Sequence, residues 1–181
     1  MRAPPARIVT PSCVLRRHTL DDVDAVVTAV NESLDHLRPW MPWAQAPVTH
    51  ESIATFLRGV IESFDAGRDF GYLMLDPAER AVVGGSGLHA RGDPRTLHIG
   101  YWVHAGWTRR GIASATARAL ADAALAIPGI DHVEIHCDVD NAASAGVARA
   151  AGFELVAIVP RAPDAPGESG REMVWGRNRA G

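Results

Sequence analysis

His98-Ile99-Gly100-Tyr101-Trp102-Val103, followed by Trp107-Thr108-Arg109-Arg110-Gly111-Ile112-Ala113-Ser114 and an alanine-rich run to Ile127, is the stretch that decides the fold. It reads as a strand, a tight turn with glycine, and a long helix. The first N–H groups of a helix have no intrahelical partner and carry a partial positive charge, so they can hold a phosphate. Arg109 and Arg110 add full positive charge at the same turn. Taken alone, the stretch defines a candidate anion site. It is not a nucleotide P-loop, because no lysine followed by Ser or Thr comes after the glycine.

A second segment lies about thirty residues on: Asn141-Ala142-Ala143-Ser144, then Ala151-Gly152-Phe153. A third lies upstream, His36-Leu37-Arg38-Pro39-Trp40-Met41-Pro42-Trp43. In this order the three segments resemble the GNAT acyl-CoA-dependent N-acetyltransferases. Thr108-Arg109-Arg110-Gly111-Ile112-Ala113 is similar to the Q/R-x-x-G-x-G/A pyrophosphate loop of that superfamily, with Thr108 where Gln or Arg is usual. Asn141 and Ser144 match its N-x-x-S/A helix, and the upstream segment matches the H-L-x-P-W-x-P-W signature of the RimJ/RimL-like branch.

The resemblance covers residues 13 to 176 and implies a mixed α/β sheet of mostly antiparallel strands flanked by helices. It implies acetyl-CoA as acyl donor, and transfer straight to a primary amine with no acyl-enzyme. The acceptor would be a protein N-terminal amine or a small amine such as an amino acid, polyamine or antibiotic. Two central strands splay apart in the family, and the pantetheine arm pairs with the freed backbone, here Tyr101, Trp102 and Val103. The pyrophosphate would lie on Thr108 to Ser114, and Asn141 would bond the cofactor arm. Ala148 stands where many relatives have a proton-donating tyrosine, which leaves Ser144 to stabilise the departing thiolate. His98 occupies the place of a common glutamate base, and a near-neutral imidazole can do that work. His89, Glu134, His136 and the carboxylates of the Asp164–Glu172 loop stay open as alternatives. Trp40 and Trp43 either cover the core or wall the acceptor pocket, where aromatic faces attract an ammonium. Glu32 and Asp35 lie close by in sequence. A module that binds acyl-CoA without catalysis, and a transferase using a longer donor such as succinyl-CoA, are the alternatives to the main reading.

The remaining sequence agrees with this outline. A chain of 181 residues with 47% hydrophobic content suits one soluble domain. A net charge of −3 argues against a nucleic-acid partner. No apolar run approaches the roughly eighteen residues that span a bilayer, and the first residues lack the apolar core of a secretory signal. Two cysteines and eight scattered histidines make no disulfide framework and no metal-ligand spacing. The expectation is a cytoplasmic, metal-free monomer or homodimer, with a loose, proline-rich segment over 1–12 and one domain over 13–181. Spacing predicts helices from Val23 and from His50, the second burying Ile53, Phe56, Leu57, Val60, Ile61 and Phe64. Strands are expected at 14–16, 69–75, 81–88, 96–103, 132–138, 153–159 and 171–177. Helices follow at 112–127 and 142–151, and a loop at 39–47.

Overall fold

The computed structural model describes residues 2–179; Met1 of the N-terminal segment, and Ala180 and Gly181 at the end of the expected domain, lie outside it. The described strands are β1 (Arg7–Val9), β2 (Val14–Arg17), β3 (Asp69–Leu75), β4 (Val82–Ala90), β5 (Thr96–Val103), β6 (His132–Asp138), β7 (Glu154–Pro160) and β8 (Arg171–Asn178). They form one sheet in the order β1-β2-β3-β4-β5-β6-β8-β7. Every neighbouring pair is antiparallel except β5 and β6. A parallel pair needs a crossover, and α4 (Ile112–Leu125) supplies it.

Each face of the sheet carries helices. α4 and α5 (Ala142–Ala150) cover a core that contains Leu97, Ile99, Val133, Ile135 and Trp175. The opposite face carries α1 (Val23–Asn31), α2 (Leu34–Leu37) and α3 (His50–Asp65), packed on Leu73, Leu75 and Trp102. Strict alternation in β6 makes the division: Val133, Ile135 and Cys137 are buried, while Glu134 and His136 face the other way and stay partly exposed. In α4 the buried stripe is mostly small residues, with Thr116, Ala117, Ala121 and Ala124 around Leu120, so the helix lies close against the sheet. α3 begins at a reciprocal cap, in which Thr49 Oγ1 accepts from the Ser52 N–H and Ser52 Oγ accepts from the Thr49 N–H.

Three expectations need correction. The segment over 1–12 is not loose throughout, because Arg7–Val9 pairs with β2 and the Tyr72 hydroxyl donates to Pro5 O at 2.9 Å. Its prolines flank the strand, Pro4 and Pro5 before it and Pro11 after it, and do not interrupt it. Phe56 is 57% exposed. The inward stripe of α3 runs through Ile53, Leu57 and Phe64, and Phe56 sits about 100° away from Leu57 around the helix. The 39–47 loop contains a short 3-10 turn at Pro42–Ala44, and α2 precedes it. No helix among the described residues is long and apolar enough to cross a membrane.

His18, between β2 and the first helical turn, is 7% exposed, and its Nδ1 has no hydrogen-bond partner among the described residues. Burial lowers its pKa to about 4, against the opposing pull of Asp22. The folded form therefore holds a neutral imidazole that protonates readily once unfolded. Its contribution is complete above pH 6.5 and disappears as the pH falls toward 4, a loss of about 3 kcal/mol over the full window. Urea unfolding from pH 7.5 to 4 should show this decline, and His18→Leu should flatten the part above pH 4.5.

Candidate active site

β5 and β6 pair over only three positions, ending at His98 opposite Glu134. Beyond that point each strand keeps its outer partner: β5 runs with β4 as far as Val103, and β6 with β8 as far as Asp138. The inner edge of β5 from Ile99 to Val103 is thus left without a strand partner. Unpaired backbone groups beside a cleft suit an extended amide-bearing ligand. The residues expected around the acyl donor, except Arg110, line one cleft of about 590 Å³, and Trp40 lines it with them.

At one end of the cleft stands the N-terminus of α4. Its N-cap is Gly111, in the left-handed region at φ 73°, and no side chain caps the helix. The first intrahelical bond runs from the Ala115 N–H to Gly111 O, so the amides of Ile112, Ala113 and Ser114 precede it, on residues that line the cleft. Arg109 also has positive φ, at 62°. Successive amides turned inward in this way make an anion-binding concavity. Arg110 lies differently: its guanidinium stacks over Trp107 at 4.5 Å and donates to Gly106 O at 3.2 Å. Thr108 donates to Ala105 O and holds the turn.

Halfway along the cleft, Asn141 Oδ1 caps α5 by accepting from the Ser144 N–H. The cap turns Ser144 toward β5, and its Oγ lies 2.8 Å from the Tyr101 hydroxyl. Sequence reading assigned only backbone to Tyr101, so it missed this pair; a helix-to-strand contact across 43 positions has no local signal. Burial raises the Tyr101 pKa and keeps the phenol protonated, able to donate. Cys137 is buried beside them, which raises its thiol pKa.

The opposite face carries the aromatic and ionisable groups. Trp43 meets Trp102 edge-on at 6.3 Å and is 48% exposed, so it braces Trp102 and does not line the cleft itself. His98 stacks on His136 at 4.6 Å, with its Nε2 3.5 Å from Glu134. Glu134 also takes hydrogen bonds from His136 and His132, and His136 Nδ1 lies 2.9 Å from Glu172. Burial works against the charge on Glu134, yet these imidazoles hold its pKa below the usual carboxylate range. Burial, then His136, lowers the pKa of His98. Donor atoms of His98, Glu134 and His136 lie within 4.8 Å of one another, a spacing that suits a cation. Both oxygens of Glu134 already meet imidazole nitrogens, so the group holds together as a hydrogen-bonded network.

Residues 13–154 match the family model described as Acetyltransferase (GNAT) domain. The chain belongs to the GNAT acetyltransferase family. Comparison with curated protein sequences gives no match. Solved GNAT structures share its fold. A RimL ribosomal L7/L12 alpha-N-protein acetyltransferase in complex with coenzyme A superposes with a TM-score of 0.85 at 24% identity, covering 98% of each chain. The Microcin C7 self-immunity acetyltransferase MccE, in complex with acetyl-CoA and AMP, gives 0.86 at 19% identity over 96% of this chain and 97% of its own. RimJ of Mycobacterium smegmatis, in complex with CoA-disulfide, gives 0.86 at 20% identity over 98% and 90%.

The turn at the GNAT helix generates a direct stability test. A Cβ added at Gly111 would meet nothing within 4 Å, so the cost of Gly111→Ala is that of a left-handed backbone alone. That should be about 1–2 kcal/mol, read from urea unfolding.

Proposed function

We propose that this GNAT protein is an acetyl-CoA-dependent N-acetyltransferase of RimJ/RimL type, acting through the single domain over 13–181. The observation that carries the reading is the free inner edge of β5 facing a cleft that ends at the uncapped N-terminus of α4. A pantetheine arm carries amides that pair with Tyr101, Trp102 and Val103. Its pyrophosphate is taken by the turn from Thr108 to Ser114, with charge from Arg109 in the cleft and from Arg110 beside it. RimL, RimJ and MccE, solved with CoA, CoA-disulfide or acetyl-CoA, support the choice of donor.

The amine attacks the thioester carbonyl directly, the C–N bond forms, the C–S bond breaks to release the CoA thiolate, and the nitrogen gives its remaining extra proton to that thiolate to leave amide and CoA thiol. Ser144, oriented by Tyr101, donates a hydrogen bond to that thiolate. A serine hydroxyl is too weak an acid to do more, so stabilisation of the anion is its contribution. The acceptor enters from the face of Trp102, Trp40 and Trp43, where the imidazole of His98 or of His89 can take the ammonium proton. A protein N-terminal amine or a small cytoplasmic amine fits that face, where an ammonium meets aromatic rings and carboxylates.

Calorimetric titration with acetyl-CoA, together with thiol release over a panel of peptides, polyamines, amino acids and aminoglycosides, tests the reading. Binding with amine-dependent release is the expected outcome. Binding without release on any amine would favour a non-catalytic acyl-CoA module, and faster turnover of succinyl-CoA would change the donor. Replacing Arg109 and Arg110 together by Ala should weaken CoA binding by about 1.5–3 kcal/mol per lost charge-assisted bond. Ser144→Ala should lower kcat by about tenfold, the worth of one hydrogen bond, with CoA affinity kept.

A further inference from the structure

Two files of residues run side by side across the acceptor face, each set by strand register. In the first, Asp69 of β3 is opposite His89 of β4, His89 is opposite His98 of β5, and His98 is opposite Glu134 of β6. The second, two residues along, is Gly71, Gly87 and Gly100. Residues at this spacing share one face of the sheet. The glycine file leaves a shallow trough, and the His89 ring lies in it. A Cβ built on Gly87 would come within 2.8 Å of His89 Nε2, and one built on Gly100 within 3.4 Å.

His89 Nε2 is thereby held between Gly87 and Gly100, and Gly100 is the first position on this face beyond the last β5–β6 pair. The ring thus lies where β5 and β6 begin to part, on the face of the sheet away from Ser144 and Tyr101. Of the neighbouring imidazoles on this face, His136 meets a carboxylate through each nitrogen, and His98 stacks on His136 with its Nε2 3.5 Å from Glu134. His89 Nε2 has no hydrogen-bond partner among the described residues, while its Nδ1 faces the Asp69 carboxylate at 3.7 Å. This contact is long for a hydrogen bond, and catalytic contacts often tighten only when substrate arrives. Asp69 is itself fixed, its Oδ1 accepting from the Ala90 N–H at 2.9 Å.

Resting on the transferase reading above, we propose that His89 is the general base of the reaction and that Asp69 positions it. Asp69 favours the tautomer with its proton on Nδ1, leaving the Nε2 lone pair free where β5 and β6 begin to part. The acceptor ammonium gives a proton to Nε2, directly or through a water, and the free amine attacks the thioester. The imidazolium then faces the Asp69 carboxylate, and the proton leaves to solvent. Burial lowers the His89 pKa, so the ring is neutral near pH 7; Asp69 opposes this shift and Arg91 adds to it. His98, in the same file, is the other titratable group that faces the ring, with Glu134 and His136 behind it.

The pH dependence of kcat/KM, measured by thiol release, tests the assignment. His89→Gln should lower kcat about a hundredfold or more and abolish the acid limb, with acetyl-CoA affinity retained as evidence of a folded cleft. Exogenous imidazole should restore activity to His89→Ala. Asp69→Asn should keep the acid limb but move it to lower pH, because the ring loses its anionic neighbour. Gly87→Ala, which pushes the ring from its seat, should lower kcat with little change in acetyl-CoA affinity. An unchanged acid limb in His89→Gln, or its loss in His98→Gln alone, would overturn the assignment and leave the transferase intact. A wild-type protein that releases no thiol with any amine would remove the transferase reading and the base with it.

Discussion

Everything in the cleft depends on where β5 and β6 stop pairing. Parallel strands joined through α4 are held together for three residues, and then each follows its antiparallel outer neighbour. The sheet is split from one end without being broken, because the outer pairings keep their hydrogen bonds. Strand edges with unpaired amides are normally a liability in a folded protein. Here the exposed edge is short, lies beside the helix that makes the crossover, and is walled by aromatic residues. That helix must begin next to the split, so its uncapped amides and the strand edge face one volume as a consequence of topology.

The split also separates two electrostatic environments. On the side of α4 and α5 the groups that reach the cleft are backbone amides, an arginine turn, and two neutral hydroxyls of Tyr101 and Ser144. On the other side stand imidazoles gathered around Glu134, Glu172 and Asp69. On the transferase reading proposed above, the anionic donor and the cationic acceptor would each be drawn to the side that complements its charge. Burial matters on both sides: it keeps the Tyr101 phenol protonated and the His98 and His89 imidazoles neutral. A hydrogen-bond donor and a proton acceptor therefore occupy opposite faces of one opening.

Glycine acts in two separate ways. Gly111 supplies a left-handed residue at the start of α4, where its amide and those after it turn toward the cleft. Gly87 and Gly100 act by absence, leaving room for a ring to lie flat on the sheet. The stretch Gly84-Gly85-Ser86-Gly87 in β4 is a signal in the sequence that a strand needs space on one face. What fills the space is different at each end: Trp102 lies against Gly85, and His89 against Gly87.

Local pattern was enough to establish the alternation of β6, the alanine run of α4, the Asn141 cap and the glycine turn before Ile112, because each depends on residues a few positions apart. The order of these elements, with the three family motifs, was enough for the fold and the family. Register, side-chain reach and edge position were not legible, since they depend on residues far apart in the chain. Arg7–Val9 becomes a strand only because β2 offers an edge, and Phe56 is left outside only because α3 settles on Ile53 and Leu57. His98 had the motif position, yet its Nε2 is drawn to Glu134 across the β5–β6 pair. Tyr101 reaches Ser144, and His89 lies between Gly87 and Gly100, through contacts between separate elements that no spacing in the sequence encodes. The sequence by itself determined which chemical groups the protein has and the elements that carry them; the packing of those elements decided which groups meet.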